Sequence, residues 1–435
     1  MQNPFAAGNS VNEQEFLGRA KEVRRIVGRL SNSGQSVAVV GDPRIGKTSL
    51  LRYLATPEKQ QELYGELAAH LIFHYMDATT FGSAFTQTQF WWLALTPLAE
   101  KLPEIDNPSL TAAYKTCERE GFGVYVLEKL LAQVQSAGWR IVLMLDEFDN
   151  LLGNPVLNKA EFYGGLRSLD TRSEALALVI ASRQSLEALN AATQEYSRMG
   201  SPYFNHMTPV SLGAFSDKEI HTLLARGDAH FKKSDKEYLT YIAGGHPFLL
   251  QAAAYTLWEV YESNETKRKN RWEITGHELL DAAGPTLADT WRLWSPETRQ
   301  AVTIIALDTL PQLVKGREFN MESLLGLLDN YIPEVDELKK RGFLISDDSH
   351  KSGYRLQSQV MLWWLAKEMI RMTRSKDGDY LSQWQRDQQL EGLIKSPEKN
   401  QLQKAFGAIG PMLKKGTEGV LEALINAAMG RYMPL

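Results

Sequence analysis

Ser36-Val-Ala-Val-Val-Gly41-Asp-Pro-Arg-Ile-Gly46-Lys47-Thr48 joins a β-branched run to a glycine-containing loop that ends in Lys-Thr. Ser36–Gly41 is apolar and too short for a helix, so it predicts a buried strand. Gly41–Thr48 has the spacing G-x-x-x-x-G-K-T, and a helical pattern runs from Lys47 to Ala55. Glycines in such a loop let the backbone curl until its N–H groups face phosphate oxygens. The lysine reaches the β and γ phosphates, and the threonine hydroxyl ligates Mg²⁺. The helix behind the loop offers its positive end to the same anion. Gly41, Asp42, Pro43, Arg44, Ile45, Gly46, Lys47, Thr48 and Ser49 are therefore the candidate phosphate-binding residues. Thr48 is a candidate metal ligand, and the expected nucleotides are ATP and ADP.

Further strand-sized apolar runs lie at His70–Asp77, Arg140–Asp146, Ala175–Ser182 and Met207–Leu212. Helical patterns separate them: Phe16–Leu30 predicts one helix, and 81–138 reads as helical with an insertion-like segment around Pro103–Pro108. Strands alternating with helices predict an α/β fold, a P-loop parallel sheet with helices on both faces. Residues 1–15 read as a loose polar arm.

The run 140–146 delivers Asp146 and Glu147 to the carboxyl end of a strand, where open α/β sheets bind ligands. Asp146 is the second candidate metal residue, holding Mg²⁺ through its water shell. Glu147 is the candidate base that orients and deprotonates the attacking water. Asp149 reads as a surface carboxylate with no catalytic role. Arg183, just past the strand Ala175–Ser182, is placed to sense a γ-phosphate and joins Lys47 and Glu147 as the catalytic candidates.

After about residue 215 the pattern becomes helical. Ser216-Asp-Lys-Glu219 and Ser234-Asp-Lys-Glu237 both have capping-box spacing, and Gly244-Gly-His-Pro247 breaks one helix and starts another. Residues 262–272 (ESNETKRKNRW) read as a linker. Ser295-Pro296 starts a helix with proline at its first position. Three helices followed by short strands at Phe343–Ile345 and Tyr354–Leu356 describe a winged helix. The expected organisation is an arm (1–15), a P-loop domain (16–215), a helical lid (216–272), a winged helix (273–375) and a helical tail (376–435). At roughly 150 residues per domain, 435 residues leave room for about three domains.

Forty-eight basic and 52 acidic residues give a net charge of −4, which argues against a surface built throughout for nucleic acid. The single cysteine, Cys117, excludes an intramolecular disulfide framework and fits a cytoplasmic protein. No apolar run approaches the ~18 residues of a membrane span. In the winged-helix segment, Lys339, Lys340 and Arg341 are offset by Glu334, Asp336 and Glu337, and Asp347 and Asp348 sit in the wing. That mixture favours an intramolecular clamp over DNA binding, which stays as the alternative. In the tail, Val420, Leu421, Leu424, Ile425, Ala428 and Met429 share one helix face, which either packs on the winged helix or docks a partner. Trp91-Trp92 and Trp363-Trp364 read as core. The histidines lack metal-ligand spacing, so Mg²⁺ is the one expected metal.

Together these residues resemble the STAND class and the related archaeal-type ATPases of the AAA+ group, over about residues 16–375. Phe16-Leu-Gly18-Arg19-Ala-Lys-Glu22 is similar to the signature before the first strand, which implies that Gly18 and Arg19 contact base and ribose. Ala181-Ser182-Arg183 matches the sensor-arginine position. Gly245-His246-Pro247 resembles the G-x-P turn of the helical lobe, which implies that Pro247 lies near bound nucleotide. Leu356-Gln357-Ser358 departs from members that carry a histidine after the hairpin, and no long sensor repeat follows. Asp146–Asp149 also resembles the D-E-h-D run of Orc/Cdc6 replication initiators. The resemblance implies an ATP-hydrolysing switch in prokaryotic signalling or defence, acting through a homo-oligomer or a protein partner. The alternative is a DNA-binding ATPase of the replication-initiator or transposition-regulator type. Arg167, Arg172 and Arg198 are the candidates for an arginine finger.

Overall fold

The computed structural model describes residues 2–6, 8, 15–193, 202–263, 265, 267–313, 325–373 and 429. The chain divides into two compact units, one of Ser10–Asp42 with Gly46–Leu212, the other of Met1–Asn9, Pro43–Ile45 and Gly213–Leu435.

The first unit is built on five parallel strands, β1 (Val37–Gly41), β2 (Leu71–Asp77), β3 (Arg140–Asp146), β4 (Leu176–Ser182) and β5 (Thr208–Leu212), in the order β2-β3-β4-β1-β5. β3 is buried from Ile141 to Asp146 and β4 along its whole length. A parallel strand covered on both faces has no polar side, so its sequence reads as an unbroken apolar run. The helix Lys47–Ala55 lies against β2, β3 and β4, and Ala160–Arg172 lies against β4. Phe90 sits edge-on to Trp91 and Phe162 in the core beside the sheet. Val40 is in register with Ser182 and Leu145 with Ile180, so the carboxyl ends of β1, β3 and β4 emerge side by side.

Some local expectations shift in this unit. The helix expected over 16–30 spans Ala20–Ser33 instead. Gly18 at φ 77° and Arg19 at φ 61° are left-handed, so a right-handed helix cannot begin before Ala20. There is no insertion at 103–108. Pro103 sits inside the helix Thr96–Ile105, Asp106 ends it at φ 48°, and the Asn107 side chain caps Pro108–Arg119 by accepting from the Leu110 N–H. Trp91 is buried as expected, whereas Trp92 is 56% exposed because successive helix residues point about 100° apart.

The second unit is helical. Glu219 accepts from the N–H and hydroxyl of Ser216 and starts Asp217–Ala225, as the capping spacing requires. The second spacing does not act as expected. The helix spans Lys233–Ala243, and Asp235, not Ser234, does the capping, accepting from the Lys232 N–H. Asp235 also accepts from Trp272 Nε1 and the Tyr261 hydroxyl, so its buried carboxylate has three donors. The same contacts correct the linker at 262–272. Residues from Arg268 onward belong to the helix Arg268–Leu293, and Trp272 is fully buried and stacked on Tyr238 at 4.5 Å. Beyond it come Pro296–Leu313, Ile332–Arg341, the antiparallel pair β6 (Leu344–Ser346) and β7 (Tyr354–Leu356), and Gln359–Thr373. Trp363 and Trp364 are buried. The Asp347 carboxylate is held down to about 2 by hydrogen bonds from Ser349, with Arg355 Nε a further donor at 2.8 Å. Of the tail, only Met429 is described, and it is buried; the rest of the apolar face, Val420 to Ala428, lies outside the described residues. Among the described residues, no helix is long and apolar enough to cross a membrane.

The arm is docked rather than loose over its described residues. Phe5 is buried against Phe231 at 5.5 Å and Trp258 at 6.3 Å. Asn3 Nδ2 donates to the Tyr255 carbonyl and to Glu259, and the Ala6 N–H donates to Gln251. A polar stretch with a single phenylalanine has no periodicity to reveal this, because one anchor suffices when its pocket lies on a distant helix. Phe5→Ala should destabilise the helical unit by about 3 kcal/mol, the usual cost of emptying a buried phenylalanine site. Urea denaturation checks this, and a midpoint equal to that of the wild type would contradict the docking.

Candidate functional site

The phosphate loop leaves β1 at Gly41 and enters its helix at Lys47. Gly46 stands at φ 103°, a conformation that suits only glycine, and it turns the chain so that the helix begins with Lys47. Lys47 is 5% exposed, and its Nζ donates to the carbonyls of Gly41 at 2.9 Å and Asp42 at 3.1 Å. The ammonium is thus folded back over its own loop. Burial lowers its pKa, and Glu147, Asp149, Asp42 and Asp146 oppose that shift. Ser49 is buried and Thr48 half-buried at the first turn. Arg44, at φ 58°, groups with Pro43 and Ile45 in the helical unit, where it lies 4.5 Å over the Phe248 ring and donates to the Gly8 carbonyl at 3.3 Å.

β3 ends in Asp146, which is 1% exposed. One of its oxygens accepts from the Tyr75 hydroxyl at 2.8 Å and the other from the Glu147 N–H at 2.9 Å. Burial, then Asp146, raises the pKa of Tyr75, which keeps the hydroxyl a donor. Glu147 has φ 50°, and this left-handed residue turns the chain out of the sheet into the 3₁₀ turn Phe148–Gly153. Glu147 is itself partly buried, and burial raises its pKa against the opposing pull of Lys47 and Arg183.

Arg183 follows β4. Its Nε donates to Asp149 at 2.8 Å and lies 3.5 Å from Glu147, and its Nη2 donates to Asn150 at 3.2 Å. Asp149 also accepts the Arg183 backbone N–H at 3.1 Å. Here the structure overturns the reading of Asp149 as a surface carboxylate, because its side chain is 3% exposed. Lys47, Asp146, Glu147 and Arg183 therefore lie at the carboxyl end of the sheet, together with Asp149 and with Tyr75 and Asn150, which the sequence does not single out. The D-E-h-D pattern was a signal for Asp149. Nothing in the sequence singles out Tyr75, which reaches Asp146 only because β2 is the neighbour of β3.

Gly18 and Arg19 immediately precede the helix Ala20–Ser33, and Phe16 stacks on Tyr53 of the phosphate-loop helix at 4.3 Å. Pro247 opens the helix Pro247–Glu262 of the helical unit. Of the arginine-finger candidates, Arg172 pairs with Glu128 at 2.9 Å, Arg167 is half-buried, and Arg198 lies outside the described residues.

A family model described as an AAA-like domain matches residues 7–267, more than half of the chain. The chain belongs to this AAA-like family. Among solved structures, a Walker-type ATPase of Pyrococcus abyssi is similar at a TM-score of 0.51 and 18% identity, over 83% of this chain and 99% of that one. At that identity the likeness speaks for the fold. The ORC2 protein of Aeropyrum pernix matches with a TM-score of 0.47 and 15% identity, over 84% of this chain and 99% of that one. A signal transduction ATPase with numerous domains and a tetratricopeptide repeat sensor, from Pyrococcus horikoshii, matches with a TM-score of 0.35 and 16% identity, over 99% of this chain and 60% of that one. No curated protein matches the sequence.

Were Glu147 the base of this AAA-like site, its burial would have a measurable consequence. A base must be ionised to accept a proton, and Glu147 ionises at a higher pH than an ordinary carboxylate because it is buried. Turnover should therefore fall on the acid side, starting above the usual glutamate range. A pH–rate profile checks this, and an acid limb at the usual carboxylate pKa would contradict it.

Proposed function

We propose that this chain binds ATP with Mg²⁺ and hydrolyses it, as a conformational switch in prokaryotic signalling or defence. One observation carries the proposal: at the carboxyl end of the sheet, Glu147 stands 3.5 Å from Arg183 Nε and feels the charge of Lys47, whose phosphate loop leaves the neighbouring β1. Lys47, now folded onto loop carbonyls, would exchange them for β and γ phosphate oxygens, whose charge would raise its pKa again. Glu147 would take the proton of the attacking water. Arg183 would read the terminal phosphate.

Thr48 and Asp146 are hard oxygen donors, a set that suits Mg²⁺. They would hold the ion, which would neutralise phosphate charge. Gly18 and Arg19 would contact base and ribose, and Pro247 would approach the nucleotide from the lid. The lid (216–272), the winged helix (273–375) and the tail (376–435) would carry the change of state to a second copy or a protein partner. A full swing from 1:99 to 99:1 needs about 5.5 kcal/mol of differential nucleotide binding. Contacts made by ATP and not ADP are the place to find it.

The test is solution mass by light scattering without nucleotide, with ADP and with a non-hydrolysable ATP analogue. The expected outcome is a change in mass or hydrodynamic size with the analogue that ADP does not reproduce. An unchanged monomer of constant size in all three would overturn the switch.

A further inference from the structure

Two side chains beside the proposed base have no part in the chemistry above. Asp149 is buried, and its two oxygens accept separately from the backbone N–H and the Nε of Arg183, at 3.1 and 2.8 Å. Asn150 Oδ1 accepts from Nη2 at 3.2 Å. The third guanidinium nitrogen, Nη1, makes no hydrogen bond among the described residues. A carboxylate that grips both ends of an arginine fixes where its planar head lies, because the fork geometry of guanidinium is rigid.

We propose that Asp149 and Asn150 are positioning residues that hold Arg183 by Nε and Nη2 and leave Nη1 as its donor to the terminal phosphate of ATP. The proposal rests on the reading of Arg183 as the residue that tells ATP from ADP. It also assigns Asp149 a second effect. Arg183 Nε lies 3.5 Å from Glu147, so the two carboxylates compete for one cation. While Asp149 holds Arg183, the guanidinium is hydrogen-bonded to Asp149 at 2.8 Å and stands off Glu147 at 3.5 Å. Without Asp149 the arginine closes on Glu147, which draws its Nη1 away from the phosphate and occupies the carboxylate that would face the attacking water. The turn Phe148–Gly153 makes this possible by folding residues 149 and 150 back toward the end of β4.

The test compares Asp149→Asn, Asn150→Ala, Arg183→Ala and the double variant Asp149→Asn/Arg183→Ala in the full chain. Asp149→Asn should lower kcat by ~10- to 100-fold, the scale expected when a catalytic group is misplaced by about 1 Å. KM should stay within about threefold, because the phosphate loop is intact. The preference for ATP over ADP should fall toward that of Arg183→Ala. The double variant should be no slower than Arg183→Ala alone, since both changes remove one unit. Asn150→Ala keeps the buried carboxylate and should show the same changes at smaller size, which covers the case in which Asp149→Asn does not fold. Wild-type kcat and nucleotide preference in both single variants would overturn the proposal. So would losses that multiply in the double variant, the mark of a merely structural role. If the wild type neither binds nor hydrolyses ATP, the proposed function itself fails and the positioning role fails with it. If only Asp149 and Asn150 prove silent, the ATPase reading stands without them.

Discussion

Glu147→Gln should slow ATP hydrolysis by about 10²–10⁴-fold, the usual contribution of a positioned general base. Glutamine keeps the size and a hydrogen-bonding oxygen but cannot accept the proton. Binding should survive, because the phosphate loop is untouched, so ATP affinity should stay within a few-fold. The burial that raises the Glu147 pKa suits it to take a proton and release it again. A fluorescent ATP analogue measures the affinity, and phosphate release measures the rate. Equal turnover in variant and wild type would show that Glu147 is not the base. The acid limb of the pH profile should also vanish in the residual activity of the variant, which ties that limb to this residue.

Lys47→Ala should raise the Kd for ATP by about 100-fold. Hydrogen bonds to charged partners are worth about 1.5–3 kcal/mol each, and tenfold in affinity is about 1.4 kcal/mol. The variant has a second consequence. Lys47 is the first of the charges that hold down the Glu147 pKa, and it faces Asp146, Asp149 and Asp42 as well. Without the ammonium, Glu147 should bind protons more readily. Whatever turnover remains at saturating ATP should then show an acid limb shifted to higher pH. Lys47→Arg separates charge from shape. It keeps a cation, but the larger planar head does not match a site that holds a compact ammonium against the Gly41 and Asp42 carbonyls. Calorimetry with ATP and ADP checks the affinities, and unchanged ATP affinity in Lys47→Ala would remove the lysine from phosphate binding.

The parts of the site legible in the sequence share one property: their chemistry depends on local spacing. The phosphate loop needs glycines and a lysine at fixed offsets between a strand and a helix, and all of that lies within Ser36–Ala55. The strand delivering Asp146 announces itself because a doubly covered strand cannot hide its apolar run. Helix starts were legible where residues within one turn decide them, as at Ser216, which donates to Glu219, and at Ser295, whose hydroxyl accepts from the Thr298 N–H.

The parts that were not legible depend on distant partners. Asp149 and a solvated aspartate look the same in a sequence. Only the left-handed Glu147 and the turn after it bring Asp149 to Arg183, 34 residues away. Tyr75 and Asp146 are 71 residues apart and meet because strands that alternate with helices can pair in several orders. Asp235 displaced Ser234 as a cap because Trp272 and Tyr261 come to it from two later helices. Phe5 is anchored by aromatic rings more than 200 residues downstream, at Phe231 and Trp258.

The sequence alone determined the α/β core, the loop that would cradle phosphate and the acid pair at the end of β3, because each follows from backbone geometry within one or two turns of chain. The tertiary structure decided which carboxylate holds Arg183, which hydroxyl meets Asp146 and where the arm docks. Those choices depend on burial and strand order, which bring together residues too far apart for any local pattern to record.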